Sequence, residues 1–312
     1  MKILPGDAAV KIVVSVTQDP TEYLGVVQIQ RKENTEMVMG ALGPLNGPAA
    51  PEPAFRLTLH REFLFSQDSP ILDVLLPSGG KHAEALGAQQ ILSYDWQGNE
   101  WVKTGSEHLP INQPPARGER GFLFQDVDSQ SAYFSHELCR DSSLDAKGWS
   151  CETYADQTPV RGISPAAMAG KRMVPWFSAA QVETEGKPEV VVTGQDGQAR
   201  LYEDGPEPTA TFSNWGTEIA SVYSGCGSGW QLLVTGKGDW TKPDEIQAVD
   251  IQDRRAQTVS DPMAFPGPVV VLHTPWTRIT PNAAANGEAV AVDRNLQTGR
   301  YEAYLLTISC SR

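Results

Sequence analysis

Residues 218–265 constrain the fold more than any other stretch. EIASVYSGCGSGWQLLVTGKGDWTKPDEIQAVDIQDRRAQTVSDPMAF holds four short apolar runs, at 219–223, 230–235, 245–251 and 256–260. The breaks fall at 225–229 (GCGSG), 236–244 and 253–255 (DRR). Short alternating runs bounded by Gly, Pro and Asp read as strands joined by turns. Four antiparallel strands in roughly 50 residues have the size of one β-propeller blade.

The unit has imperfect copies. Apolar stretches at 70–77, 174–181, 218–225 and 268–275 each open a unit, and second strands follow at 89–95, 189–194, 230–236 and 288–293. Polar turns containing glycine, Gln97-Gly98-Asn99, Gln195-Asp196-Gly197 and Gln297-Thr298-Gly299, then lead into third strands. Laid end to end, the units predict an all-β fold: a β-propeller of six four-stranded blades, with seven as the alternative count. It occupies a single domain over 1–312, with blades at 1–65, 66–113, 114–161, 162–212, 213–265 and 266–312. The first unit is expected to place strands at 11–16, 24–31, 36–41 and 55–65. The last unit lacks a fourth strand, and an N-terminal strand could complete it in a closed ring, hiding the sheet edges. A pair of β-sandwiches explains the period less well. Only 81–86 and 165–169 read as short helices.

Charge bounds the partners. The net charge is −13 and the pI about 4.8, so phosphate backbones and anionic lipid are repelled and nucleic acid is not an expected partner. No run of 18 apolar residues exists, so no membrane insertion by a helix is expected. The four cysteines lie outside any C-x-x-C spacing, which argues against zinc and thioredoxin-type chemistry. Cys139 and Cys151 flank a short polar loop and are expected to bridge, leaving Cys226 and Cys310 for each other. Consecutive blades are neighbours, so that second pair can meet across 84 positions. Paired disulfides fit an oxidising compartment, so the expected location is periplasmic or secreted with a leader removed; cytoplasmic is the alternative.

FSNWGTEIA at 212–220, CGSGWQ at 226–231, GDWT at 238–241, DEIQA at 244–248 and NLQTGRYEAY at 295–304 resemble exported bacterial proteins of the VCBS or FG-GAP-like type. The resemblance covers about the last 100 residues well. It implies an exported propeller and no particular reaction. The D-x-D-x-D-G calcium-loop spacing of the FG-GAP pattern is absent.

The candidate chemistry is sparse. Asp126 with Asp128, and Asp293 with Asn295, place oxygens in alternation, but calcium takes six to eight oxygens and usually a turn glycine. No metal and no cofactor are expected. The five histidines show no i, i+2 or i, i+4 pair. Ser228 lies in Gly227-Ser228-Gly229 without the G-x-S-x-G elbow. Asp68, Asp73, Glu218 and Asp261 lie near the first strands or their feeding loops and could supply paired carboxylates in a central channel. The tryptophans carry more. Trp215, Trp240 and Trp276 sit in or beside connecting loops and could form a binding surface. Trp96, Trp101, Trp176 and Trp230 lie in strand patterns and are expected to pack between blades. The sequence therefore favours a binding or assembly module presenting a loop-built face to a protein or carbohydrate partner, with no catalytic residue assigned. The alternative is a carbohydrate-active hydrolase or lyase with carboxylates in the channel.

Overall fold

The computed structural model describes residues 10–18, 22–31, 34–44, 53–76, 80–112, 120–125, 129–134, 137–141, 148–153, 176–184, 186–227, 229–236, 239–274 and 287–311. The chain divides into two compact units, Met1–Glu52 and Pro53–Arg312. In the first, β1 (Val10–Gln18), β2 (Glu22–Arg31) and β3 (Asn34–Pro44) form a three-stranded antiparallel sheet in the order β1-β2-β3.

The second unit is a five-bladed propeller of antiparallel sheets. Blade 1 runs β5 (Asp73–Leu75), β6 (His82–Leu86), β7 (Gln90–Gln97) and β8 (Glu100–His108). Blade 2 runs β9 (Phe122–Gln125), β10 (Gln130–Tyr133), β11 (Glu137–Asp141) and β12 (Trp149–Thr153). Blade 3 runs β13 (Trp176–Thr184), β14 (Lys187–Gly194), β15 (Gln198–Tyr202) and β16 (Ala210–Ser213). Blade 4 runs β17 (Ile219–Tyr223), β18 (Trp230–Thr235), β19 (Asp244–Gln252) and β20 (Arg255–Thr258), with β21 (Met263–Phe265) pairing β19. Blade 5 runs β22 (Val269–His273), β23 (Glu288–Arg294), β24 (Tyr301–Ser311) and then β4 (Arg56–Gln67).

The count is thus five blades, which corrects the expectation of six or seven. The strand at 55–65 does not complete a blade with its sequence neighbours. It pairs with β24 from Tyr301↔Gln67 to Ser311↔Arg56 and supplies the missing fourth strand of the last blade. Ring closure by an N-terminal strand therefore holds, but it uses the strand that had completed the first unit. A second correction concerns 81–86. His82–Leu86 is a strand whose burial alternates at its start, between Ala85 paired with Leu92 and Ala83 paired with Tyr94. Five residues of helix-forming composition are too few to hold a helix against two strand partners. The second candidate helix, 165–169, lies outside the described residues.

Strand faces explain the apolar runs. In β23, Ala289 and Ala291 join the core between blades 4 and 5, while Val290 and Val292 join the core between blades 5 and 1. Successive side chains point to opposite faces, so a strand buried on both sides reads as continuously apolar. Further cores lie between blades 3 and 4, built on Leu201, Leu232 and Ile251, and between blades 1 and 2, built on Leu86, Leu109 and Leu123. The expected hairpin turns form, with Gly98, Gly197 and Gly299 at φ of 70°, 76° and 73°, a left-handed region that glycine enters without a Cβ clash.

Both disulfides form. Cys139 and Cys151 are direct cross-strand partners on β11 and β12, with Cα atoms 4.0 Å apart. The run at 131–138 spans two strands, β10 and β11, which pair with each other through Ala132↔Cys139. Cys226 of blade 4 bridges Cys310 of β24, with Cα atoms 6.2 Å apart.

Candidate functional site

The first strands of the blades are joined by a belt of polar contacts. Asp73 Oδ2 accepts from the Leu123 amide at 2.7 Å, linking blades 1 and 2. Arg120 donates to the Phe177 carbonyl at 2.6 Å, linking blades 2 and 3. The Ser178 hydroxyl meets the Ile219 amide and carbonyl, linking blades 3 and 4. Thr274 donates to the Ser221 carbonyl at 2.6 Å, linking blades 4 and 5. His273 closes the circuit, with Nε2 2.8 Å from the Val74 carbonyl and 2.7 Å from Asp73 Oδ1. A carbonyl can only accept, so Nε2 carries the imidazole proton.

Two of the four acids considered for channel catalysis sit in this belt. Asp73 and Glu218 are both fully buried. Asp73 is held by His273 and two backbone amides, those of Leu123 and Val74. Glu218 pairs with Arg120 at 2.6 Å, and the same guanidinium lies over the Phe177 ring, 4.7 Å from its centroid. Buried charges persist when paired and hydrogen-bonded, and these are. The other two acids lie apart from the belt and are exposed: Asp68 pairs with Arg300, and Asp261 with Arg56.

The larger concavity lies at the seam of blades 5 and 1. A groove of about 770 Å³ opens between β4 on one side and β7 and β8 on the other. Phe65 stacks flat on Tyr94, with centroids 3.9 Å apart, and the Tyr94 hydroxyl donates to Gln67 Oε1 at 3.0 Å. Burial raises the Tyr94 phenol above its usual pKa, and Arg300 partly offsets this. Trp96 and Trp101 are cross-strand partners around the Gly98 hairpin and meet edge-to-face at 5.8 Å. Phe63 is 51% exposed at the groove. Trp101 Nε1 is buried and meets no acceptor among the described residues.

Sequence reasoning had assigned Trp96 and Trp101 to packing between blades. Trp101 packs against the core between blades 5 and 1, as expected, while both rings also line the groove at the rim of that seam. The available signal was two tryptophans flanking one tight turn, which places their rings together on one sheet face.

The loop tryptophans are scattered. Trp215 stacks on Phe212 at 4.9 Å, packs against the core between blades 3 and 4, and borders a hollow of about 270 Å³ with Thr235 and Glu245. Trp240 is 52% exposed beside a turn in which Asp239 accepts from the Thr241 amide and hydroxyl. The Thr241 hydroxyl and Lys242 hold the Asp239 carboxyl well below the usual range. Trp276 lies outside the described residues.

Of the oxygen pairs weighed for calcium, Asp126 and Asp128 lie outside the described residues. Asn295 Oδ1 is engaged in building its own turn, accepting from the Gln297 and Thr298 amides. Asp293 is fully buried in blade 5, and the backbone amides of Asp293 and Gly267 favour its charged form without outweighing that burial. Burial first, then the neighbouring Glu302, raise its pKa to about 7, with Arg61 opposing.

No protein-family model matches the chain, and no curated protein matches it. Among solved structures, the chain is similar to the crystal structure of the Cps50 (Swd1) β-propeller domain of Myceliophteria thermophila, at 14% identity and a TM-score of 0.29, covering 95% of this chain and 99% of that one. It is also similar to a protein described as a 6-phosphogluconolactonase from Bacteroides fragilis, at 9% identity and a TM-score of 0.41, covering 99% of this chain and all of that one. Likeness at this level carries no argument about substrate or partner.

Proposed function

We propose that the chain is an exported, non-catalytic binding module that presents the surface of its propeller to a protein or carbohydrate partner. The groove between blades 5 and 1 carries the reading. It is the larger of the two concavities described, and partly exposed aromatic side chains line it beside polar groups, the composition of a ligand site. The acids a channel hydrolase would use are engaged with His273 and Arg120. Export is supported by the two disulfides and by the resemblance of 212–248 and 295–304 to exported VCBS or FG-GAP-like proteins. Trp240, exposed on its turn, extends the contact face, with Trp215 and Trp276 as further candidates.

The test is to immobilise the full chain and probe it with protein and glycan libraries, using Trp96→Ala as the control surface. Capture that depends on Trp96 supports the reading. Turnover of a polysaccharide that disappears in Glu218→Gln or Asp73→Asn would replace it with the hydrolase.

A further inference from the structure

The groove at the seam of blades 5 and 1 has a chemistry specific enough to name a class of ligand; this inference rests on the binding reading. Three observations converge. The first is shape. Trp96 and Trp101 meet edge-to-face across the hairpin with interplanar angle 65°, and both line the groove. Phe63 adds an exposed apolar face from β4.

The second is charge. Asp68 and Glu100 border the groove with Lys103 and Arg300, two charges of each sign. The groove is balanced on a chain whose net charge is −13. A site for a cation or an anion would concentrate one sign.

The third is unused hydrogen-bonding capacity. Among the described residues, the side chains of Asn99, Glu100 and Lys103 make no hydrogen bond or ion pair, although all three border the groove.

We propose that this groove binds a neutral oligosaccharide. A pyranose offers an apolar face of C–H groups that stacks on an indole ring, and a rim of hydroxyls that both donate and accept. That combination matches aromatic walls bordered by an amide, a carboxylate and an ammonium. The volume of about 770 Å³ lies within the ordinary range of ligand sites and has room for a short chain of sugars.

The full chain is titrated calorimetrically with cellohexaose, xylohexaose, mannohexaose, chitohexaose and maltohexaose, and separately with hexagalacturonate and decaproline. At least one neutral hexasaccharide binds with one-to-one stoichiometry and perturbs tryptophan fluorescence. Trp96→Ala weakens that binding by about tenfold. Trp101→Phe, which keeps an aromatic ring but narrows the wall on which a sugar stacks, weakens it by about threefold. Phe124→Ala, an exposed aromatic on blade 2 away from the groove, leaves it unchanged, and circular dichroism with melting curves confirms that each variant folds. The proposal is overturned if none of the five neutral sugars binds, if hexagalacturonate or decaproline binds in their place, or if Trp96→Ala and Trp101→Phe both fold and leave affinity intact. Capture of a protein through the groove, with all sugars failing, overturns this inference and leaves the module reading standing. Cleavage of a bound sugar does the reverse.

Discussion

On its blade 4 side, blade 5 is tied by a disulfide from Cys226 to Cys310, by a backbone hydrogen bond from Leu57 to Val259 at 2.7 Å, and by Arg61 donating to the Ala264 carbonyl. Leu57 even makes a parallel bridge with Ser260, joining β4 to the neighbouring blade. Phe265, Tyr304 and Leu306 fill the space between. On its blade 1 side, the first strands are joined by His273 and a core that includes Val74, Leu92, Val271 and Val292 fills the space behind them, while the aromatic groove opens at the rim of the seam. The same strand, β4, takes part in both seams. One seam is built for permanence and the other leaves room for a ligand. A closing strand that returns from far away in sequence needs anchoring; the chain ties its blade covalently on the blade 4 side and holds it on the blade 1 side by the Phe65–Tyr94 stack and the Tyr94–Gln67 hydrogen bond. The rim of the blade 1 side keeps exposed polar and aromatic groups that a fully closed seam would have to satisfy internally.

The largest effect expected is loss of the long bridge. Cys226→Ser and Cys310→Ser should each destabilise by up to about 4–5 kcal/mol in the chain-entropy account, an upper figure because strain and residual structure reduce it. Melting curves should show equal shifts, with the double variant no worse than either single one. Additive losses would mean that the two cysteines act separately, and the anchored seam would lose its main tie.

The next effect is pH-dependent and lies within blade 5. Asp293 has a folded pKa raised to about 7 from 3.8, so the stability linked to it is fully present below 3.8 and is lost as the pH rises through 7. The full span is at most roughly 4 kcal/mol, since one pKa unit corresponds to about 1.4 kcal/mol. Asp293→Asn should flatten the stability profile between pH 4 and 8. A profile with the same slope in both proteins would show that Asp293 does not titrate in that window.

The short bridge ranks below this. Cys139→Ser should cost about 3 kcal/mol or less, and it should loosen blade 2 without touching either seam of blade 5. Hydrogen exchange should quicken in β11 and β12 and stay unchanged in β24. Faster exchange at β24 would couple blade 2 to the closing strand.

The smallest effects sharpen the contrast. Trp96→Ala removes a partly exposed cross-strand pair and should cost about 1 kcal/mol or less while weakening groove binding by about tenfold. Arg56→Ala breaks an exposed ion pair with Asp261 and should cost under about 1 kcal/mol, falling further in salt. A large loss from Trp96→Ala would make the groove wall a structural element.

Local structure was legible wherever a single blade carries it. Strands at 219–223 and 230–235 coincide with β17 and β18, and the three glycine turns fall where their polar residues place them. Both cysteine pairs were also within reach, because hairpin spacing and blade adjacency restrict which thiols can meet. The strand nature of 55–65 was visible as well; its partner was not. Alternating apolar residues state that a segment will be a strand, and they do not encode which distant edge it joins. Arg300 donates to Ser66 across 234 positions, and no local pattern specifies that contact.

What the sequence determined by itself, then, was an acidic, turn-rich chain of short strands buried on both faces, held by two disulfides. Only the tertiary structure decided that the ring closes at five blades, because closure depends on whether β4 pairs with β3 or with β24. The same decision made the groove. Trp96 and Trp101 belong to one hairpin, but a groove needs a second wall, and that wall is β4, brought there by its pairing with β24. Asp73 met His273 for the same reason: first strands become neighbours only when the ring is complete.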